Sequence, residues 1–139
     1  MIIVCSGIKG GVGKTTIATN LAIIRAASGA DVLLVDADDR EISSDFTIVR
    51  NETLADKGGA AIRSDTLKLS SKYSDIIIDV GGRDTARQRA ILSVAHIYIV
   101  PFLPASFDVW SLEKVSTLVQ EAIALIKSFS LNNEFRFDS

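Results

Sequence analysis

The chain has 139 residues, enough for one domain with a substantial core but short for an α/β nucleotide enzyme. Hydrophobic residues make up 47% and aromatic residues only 6%, a profile that suits a parallel sheet buried on both faces. The net charge of −2 argues against a basic surface wrapping DNA all round, though not against a local patch, and the single cysteine excludes an internal disulfide or a cysteine-clamped metal site.

Ile2–Ser6 reads as a first strand, with Cys5 inside it as a buried, inert thiol. The run Lys9-Gly10-Gly11-Val12-Gly13-Lys14-Thr15-Thr16 follows, and then a helix over Thr15–Ser28. A strand, a glycine-rich turn and a helix start in that order form a phosphate cradle: open backbone N–H groups wrap the phosphates, and the positive end of the helix dipole faces them. Lys14 is placed for the β- and γ-phosphates and the Thr15 hydroxyl for Mg²⁺. The general P-loop pattern has Gly where this chain has Ile8, and an additional lysine, Lys9, stands beside it. The competing reading is a glycine-rich turn with solvated lysines.

Ile17, Leu21, Ile24 and Ala27 predict the sheet-facing stripe of the first helix, which Ser28-Gly29 ends. Val32–Val35 predicts a second buried strand delivering Asp36 at its end, where ligands of open α/β sheets collect. Residues 39–74 are the least regular, with a short helix over Glu41–Arg50, a break at Lys57-Gly58-Gly59, and a helix over Ala60–Ser71 carrying Ile62, Leu67 and Leu69. Ile76-Ile77-Ile78-Asp79-Val80-Gly81-Gly82 repeats the pattern of an apolar strand that delivers a carboxylate. A helix over Arg83–Val94, a strand Ile97–Val100 closed by Pro101, and a helix over Val109–Phe129 capped by Asp108 or Ser106 complete the chain. The last helix carries a broad stripe of Leu112, Val115, Leu118, Val119, Ala122, Ile123 and Ile126. His96, Phe107 and Trp110 read as structural residues. The predicted architecture is a doubly wound, mostly parallel α/β sheet of P-loop NTPase type with right-handed crossovers, in a single nucleotide-binding domain over residues 1–139.

Mg²⁺ is small and hard and takes oxygen ligands, several of them water, so such a cradle needs carboxylates at neighbouring strand ends. Asp79 fits the acid that orients metal-bound water, the alternative being a turn carboxylate before Gly81-Gly82. Asp36 and Asp38, two apart in extended chain, point the same way and can face one Mg²⁺ site.

Lys9 with Gly10-Gly11 and Lys14-Thr15-Thr16 resembles the deviant P-loop of the ParA/MinD superfamily of ATPases, and the partition branch more than the cell-division branch. The resemblance runs from Ile2 to about Phe129 and implies ATP and Mg²⁺ as cofactors. It also implies a sandwich dimer in which Lys9 reaches the nucleotide of the partner subunit. It gives Asp36 to the metal site and Asp38 to hydrolysis, near the attacking water. Asp79-Val80-Gly81-Gly82-Arg83-Asp84 resembles a run in a ParA subgroup, where the glycines allow close approach to the γ-phosphate. Arg83 then senses the nucleotide or pairs across the dimer, or else pairs with Asp84. Pro101-Phe102-Leu103-Pro104 resembles the proline-containing loop after the fourth strand of the same proteins. Asp39-Arg40 departs from the Pro-Gln usual there, with Asp39 a solvated turn residue. The lone cysteine separates the chain from the iron–sulfur ATPases of nitrogenase type.

The expected function is therefore an ATP-hydrolysing partition protein, a nucleotide-gated dimer in plasmid or chromosome segregation. Its expected partners are a centromere-binding adaptor protein and non-specific DNA. Relatives continue past the long helix with a strand, an adenine-holding loop and basic C-terminal helices, where this chain ends at Asn132–Ser139, so a C-terminally shortened version of the fold is expected. Two other readings stand beside it: a shortened nucleotide-binding module without turnover, and a MinD-like regulatory ATPase, for which no basic amphipathic helix ends the chain. No signal peptide or apolar run of about 20 residues is visible, so a cytoplasmic location without membrane attachment is expected.

Overall fold

In the computed structural model, residues 1–7, 10–37, 59–81, 85–103 and 106–134 are described. The expected helix over Glu41–Arg50, the break at Lys57-Gly58, and Ile8, Lys9, Asp38, Asp39, Arg40, Gly82, Arg83, Asp84 and Pro104 lie outside them. The elements run β1 (Ile2–Cys5), α1 (Lys14–Ala27), β2 (Val32–Asp36), α2 (Gly59–Ser70), β3 (Asp75–Asp79), α3 (Thr85–Leu92), β4 (Ile97–Ile99) and α4 (Ser106–Glu134). The four strands form one parallel sheet in the order β2-β3-β1-β4. The fold is the α/β architecture the sequence predicts.

Helices cover both faces. On one, Ala18 and Ala22 of α1 pack on Ile3, Cys5, Val32 and Ile77. On the other, Leu69 of α2, Ile91 and Leu92 of α3, and Leu118 and Ala122 of α4 pack with Ile2, Val4, Leu33, Val35, Ile76 and Ile78. This two-sided burial explains why the strands are continuous apolar runs rather than alternating ones. β1 leads into α1 on the first face and its neighbour β3 leads into α3 on the second. A crevice therefore opens beyond the ends of β1 and β3, where open α/β sheets bind ligands.

Three expected helix faces are corrected. In α1 the deeply buried positions are Ala18 and Ala22, with Ile17 and Leu21 only partly buried; Ile24 is 62% exposed and Ala27 is exposed. Two alanines bring the helix axis close to the sheet, and that rotates the long side chains to the flanks. In α2, Thr66 and Leu69 are buried while Leu67 is exposed. In α4, Val115, Leu118 and Ala122 are buried but Ile123 and Ile126 are exposed, because α4 packs along α3 on one narrow line. α4 also starts at Ser106, which puts Asp108 inside the helix rather than at its cap, and it continues past Phe129 because no Gly or Pro intervenes. α1 ends as expected: Gly29 has φ +86°, and the N–H groups of Gly29 and Ala30 donate to the carbonyls of Ala26 and Arg25.

His96 is structural, as expected. Its backbone N–H donates to the Ile2 carbonyl (2.9 Å) and its Nδ1 accepts from the Ile2 N–H (3.0 Å), which fixes the start of β4 against β1. An ion pair with a buried carboxylate ties α1 to the sheet: the partly exposed Arg25 donates through Nε to Asp75 Oδ2 at 2.6 Å, and the Asp75 side chain is only 3% exposed. Burial alone would raise the Asp75 carboxyl, but the Arg25 guanidinium, together with the Met1 ammonium 3.5 Å from Oδ1, outweighs it and the net shift is downward. The pair therefore stabilises the fold fully above the ordinary carboxylate range, and that contribution is lost as pH falls through the lowered folded value. Arg25→Ala leaves a buried, under-paired carboxylate and should lower stability by about 2 kcal/mol at pH 7. In urea denaturation the difference between variant and wild type should shrink below about pH 4; a difference that stays constant down to pH 2 contradicts the assignment.

Candidate functional site

The loop between β1 and α1 has the backbone that a phosphate cradle requires. Gly11 and Gly13 have φ of +73° and +88°, a region that side-chain-bearing residues rarely adopt. Among the described residues, nothing lies within 4 Å of where a Cβ would project from Gly10, Gly11 or Gly13. Gly13 caps α1 with no side-chain hydrogen bond, and the first turn holds no acidic residue. The helix thus presents N–H groups and the positive end of its dipole to whatever anion enters. Lys14 runs back along the loop: a Cβ on Gly7 would meet Lys14 Cδ at 3.9 Å and the Pro101 carbonyl oxygen at 3.8 Å. The proline-containing segment after β4 therefore flanks the base of the cradle.

The two strand-end carboxylates lie side by side. Parallel register pairs Asp36 with Asp79 and Asp79 with Cys5, so all three stand on one rung. Asp36 alternates with Val32 and Leu34, and Asp79 with Asp75 and Ile77, which puts both on the α1 face of the sheet. The Thr15 hydroxyl donates to Asp79 Oδ2. Beyond the rung, the Ala37 N–H donates to the Asp79 carbonyl (2.8 Å) and the Val80 N–H to the Cys5 carbonyl (2.9 Å), so the rung continues past the ends of β1 and β2. Asp79 is 5% exposed.

The structure thus brings together Gly10, Gly11, Val12, Gly13, Lys14, Thr15, Thr16, Asp36 and Asp79, while Lys9 and Asp38 lie outside the described residues. The donor set is a hydroxyl and carboxylates, all hard oxygen, which suits Mg²⁺. No group of three His, Cys, Asp or Glu residues able to cage a metal occurs among the described residues. That composition matches a cation held partly by nucleotide oxygens and water.

Cys5 is fully buried on the same rung. Burial pushes its thiol up to about 11, helped by the charge of Asp79. Other residues near the site carried no motif in the sequence. Arg87 Nη1 donates to the Ala37 carbonyl (3.2 Å) and Gln88 Nε2 to the Gly81 carbonyl (2.7 Å). Ser6 and Tyr98 bury hydroxyls without a hydrogen-bond partner among the described residues. Burial raises the Tyr98 phenol.

Residues 2–129 match the CobQ/CobB/MinD/ParA nucleotide binding domain. The chain belongs to that family. It is 35% identical over 112 residues to the maintenance of carboxysome distribution protein A of Gloeobacter kilaueensis, covering 72% of this chain and 48% of that protein. It is 32% identical over 100 residues to plasmid partition protein A of Escherichia coli, covering 70% of this chain and 25% of that protein. The chain therefore spans about half of one curated relative and a quarter of the other. A plasmid partition protein of Borrelia burgdorferi bound to AMPPNP shares the fold, with a TM-score of 0.67 and 23% identity over 86% of this chain and 70% of that one. Among the described residues, no helix is long and apolar enough to cross a membrane.

Cys5 should resist a thiol reagent such as DTNB at pH 8 in the folded protein and react stoichiometrically once urea unfolds it. Labelling within minutes under native conditions would contradict its place on the buried rung.

Proposed function

We propose that this chain binds Mg-ATP between the loop and the strand ends, hydrolyses it, and acts as a nucleotide-gated dimer in plasmid or chromosome partition. The observation that carries this reading is the contact between the Thr15 hydroxyl and the Asp79 carboxylate, directly below a glycine-built helix N-terminus. A purely structural turn does not require positive-φ glycines set over a buried carboxylate. The AMPPNP bound by the Borrelia protein supports a nucleotide as the occupant, and the partition proteins among the relatives support the biological role.

In this reading the amides of residues 10–16 bind the phosphates and Lys14 neutralises their charge. Thr15 with its hydroxyl, and Asp36 and Asp79 with their carboxylates, are the residues that would hold Mg²⁺. The ion would neutralise charge that builds on the phosphate oxygens during transfer. Asp38 orients the attacking water rather than acting as a strong base, because phosphoryl transfer depends mainly on positioning and electrostatics. Lys9 serves the nucleotide of the partner subunit. A centromere-binding adaptor and non-specific DNA are the proposed partners, and the cytoplasm the proposed location. A module that binds nucleotide without turnover is the second reading.

Titration with a fluorescent ATP analogue, beside a phosphate-release assay with and without DNA, separates the two. Lys14→Ala should weaken analogue binding by about 100-fold or more, equivalent to about 2.7 kcal/mol. Unchanged affinity contradicts the cradle. Asp38→Ala should keep ATP bound and slow phosphate release. Release at the wild-type rate would remove Asp38 from hydrolysis, and a wild type that binds without release would establish the second reading.

Lys9→Ala tests the dimer. ADP affinity should stay within about threefold of wild type, a change under 1 kcal/mol, while dimerisation with a non-hydrolysable ATP analogue weakens in sedimentation. A variant that dimerises as well as wild type rules out a lysine acting in the partner's site.

A further inference from the structure

β2 and β3 leave the sheet through Ala37 and Gly81, each of which carries a main-chain carbonyl just past the strand-end carboxylates Asp36 and Asp79. Neither carbonyl is left to solvent. Arg87 Nη1 donates to the first at 3.2 Å and Gln88 Nε2 to the second at 2.7 Å. The two donors are consecutive residues in the first turn of α3. We infer that α3 is a positioning element for the nucleotide site, its Arg87 and Gln88 clamping together the two strand exits at Ala37 and Gly81, beside the strand-end carboxylates Asp36 and Asp79. This inference rests on the nucleotide-binding reading above.

Three observations support it. First, Ala37 is held from both sides: its N–H donates to the Asp79 carbonyl at 2.8 Å, and its carbonyl accepts from Arg87. The backbone between Asp36 and Asp38 is thereby tied to β3 and to α3 at once. Second, Gln88 is 1% exposed, yet its Oε1 has no hydrogen-bond partner among the described residues. An apolar side chain would fill that position without desolvating an amide, so packing does not account for Gln88, whereas its bond to Gly81 does. Third, the contact on the β2 side is long in sequence, fifty residues separating Arg87 from Ala37, so α3 joins two strand ends that the chain does not connect locally. A displacement of one exit is passed to the other through a single helix turn, a shared element through which both strand ends can respond together to a ligand.

ADP relies on the loop, Lys14 and the dipole of α1, none of which α3 holds. A triphosphate with Mg²⁺ also depends on where the two strand exits lie. The clamp should therefore affect discrimination between ATP and ADP rather than nucleotide binding as such. The test compares wild type, Arg87→Ala, Arg87→Lys, Gln88→Leu and, as a control on the same helix, Arg89→Ala, whose side chain faces Glu121 of α4. Dissociation constants for a fluorescent ADP and a fluorescent non-hydrolysable ATP analogue are measured with Mg²⁺, with thermal melting of each variant alongside.

The expected result is ADP affinity within about threefold of wild type in every variant, and a preference for the ATP analogue that falls about tenfold or more in Arg87→Ala and Gln88→Leu. Arg87→Lys, which keeps a donor and a charge, should recover part of that preference, and Arg89→Ala should match wild type. If the wild type prefers the ATP analogue and both variants keep that preference, the positioning role of α3 is overturned while the nucleotide reading stands. A parallel loss of ADP affinity and melting temperature shows a merely structural contact and overturns it too. A wild type that binds neither nucleotide overturns the nucleotide reading and this inference with it.

Discussion

The parallel register of β1, β3 and β2 is the constraint on which the rest of this structure depends. It sets Cys5, Asp79 and Asp36 on one rung, at the point where all three strands end. Side chains alternate between faces with a period of two, so a slip of a single residue would turn Asp79 from the α1 face to the α3 face. The register is held by apolar burial on both sides: Ile76 and Ile78 enter one core, Ile77 the other, and none is more than 1% exposed. The hydrophobic core and the carboxylate geometry are therefore one arrangement seen at two ends of the same strands.

From that rung the site is assembled outward by contacts of different range. The Thr15 hydroxyl meets Asp79 because α1 starts directly above β1 and lies on the same face as the carboxylates. The helix is kept there by alanines at its closest approach and by the Arg25–Asp75 pair at the opposite end of the strands. α3 covers the other face and grips the backbone just past the strand ends. Each face of the sheet thus contributes to the crevice, as expected where neighbouring strands send their connections to opposite sides.

The charges near the rung are arranged with little redundancy. Asp79 is buried beside a thiol that stays protonated, and it accepts a hydrogen bond from the neutral Thr15 hydroxyl. A cation supplied with a nucleotide would relieve the crowding of Asp36 and Asp79, whereas a second protein carboxylate would add to it.

Much of this was legible in the sequence because its causes are local. Gly11 and Gly13 stand where the backbone needs positive φ, the strands are unbroken apolar runs, and Asp36 and Asp79 each close one of them. The sequence by itself determined the alternation of strands and helices, the cradle, and the carboxylates offered to it, since each follows from the conformational preference of a few adjacent residues. It did not determine which face of a helix is buried. Ile24 fits the apolar period of α1 yet is exposed, and the polar Thr66 of α2 is buried, because the distance of approach to the sheet decides those positions. Nor did it reveal Arg25 with Asp75, Arg87 with Ala37, or His96 with Ile2, where fifty or more residues separate the partners and no spacing rule connects them. Those pairings exist only once the strand order and register are set, and that order is a property of the folded sheet as a whole.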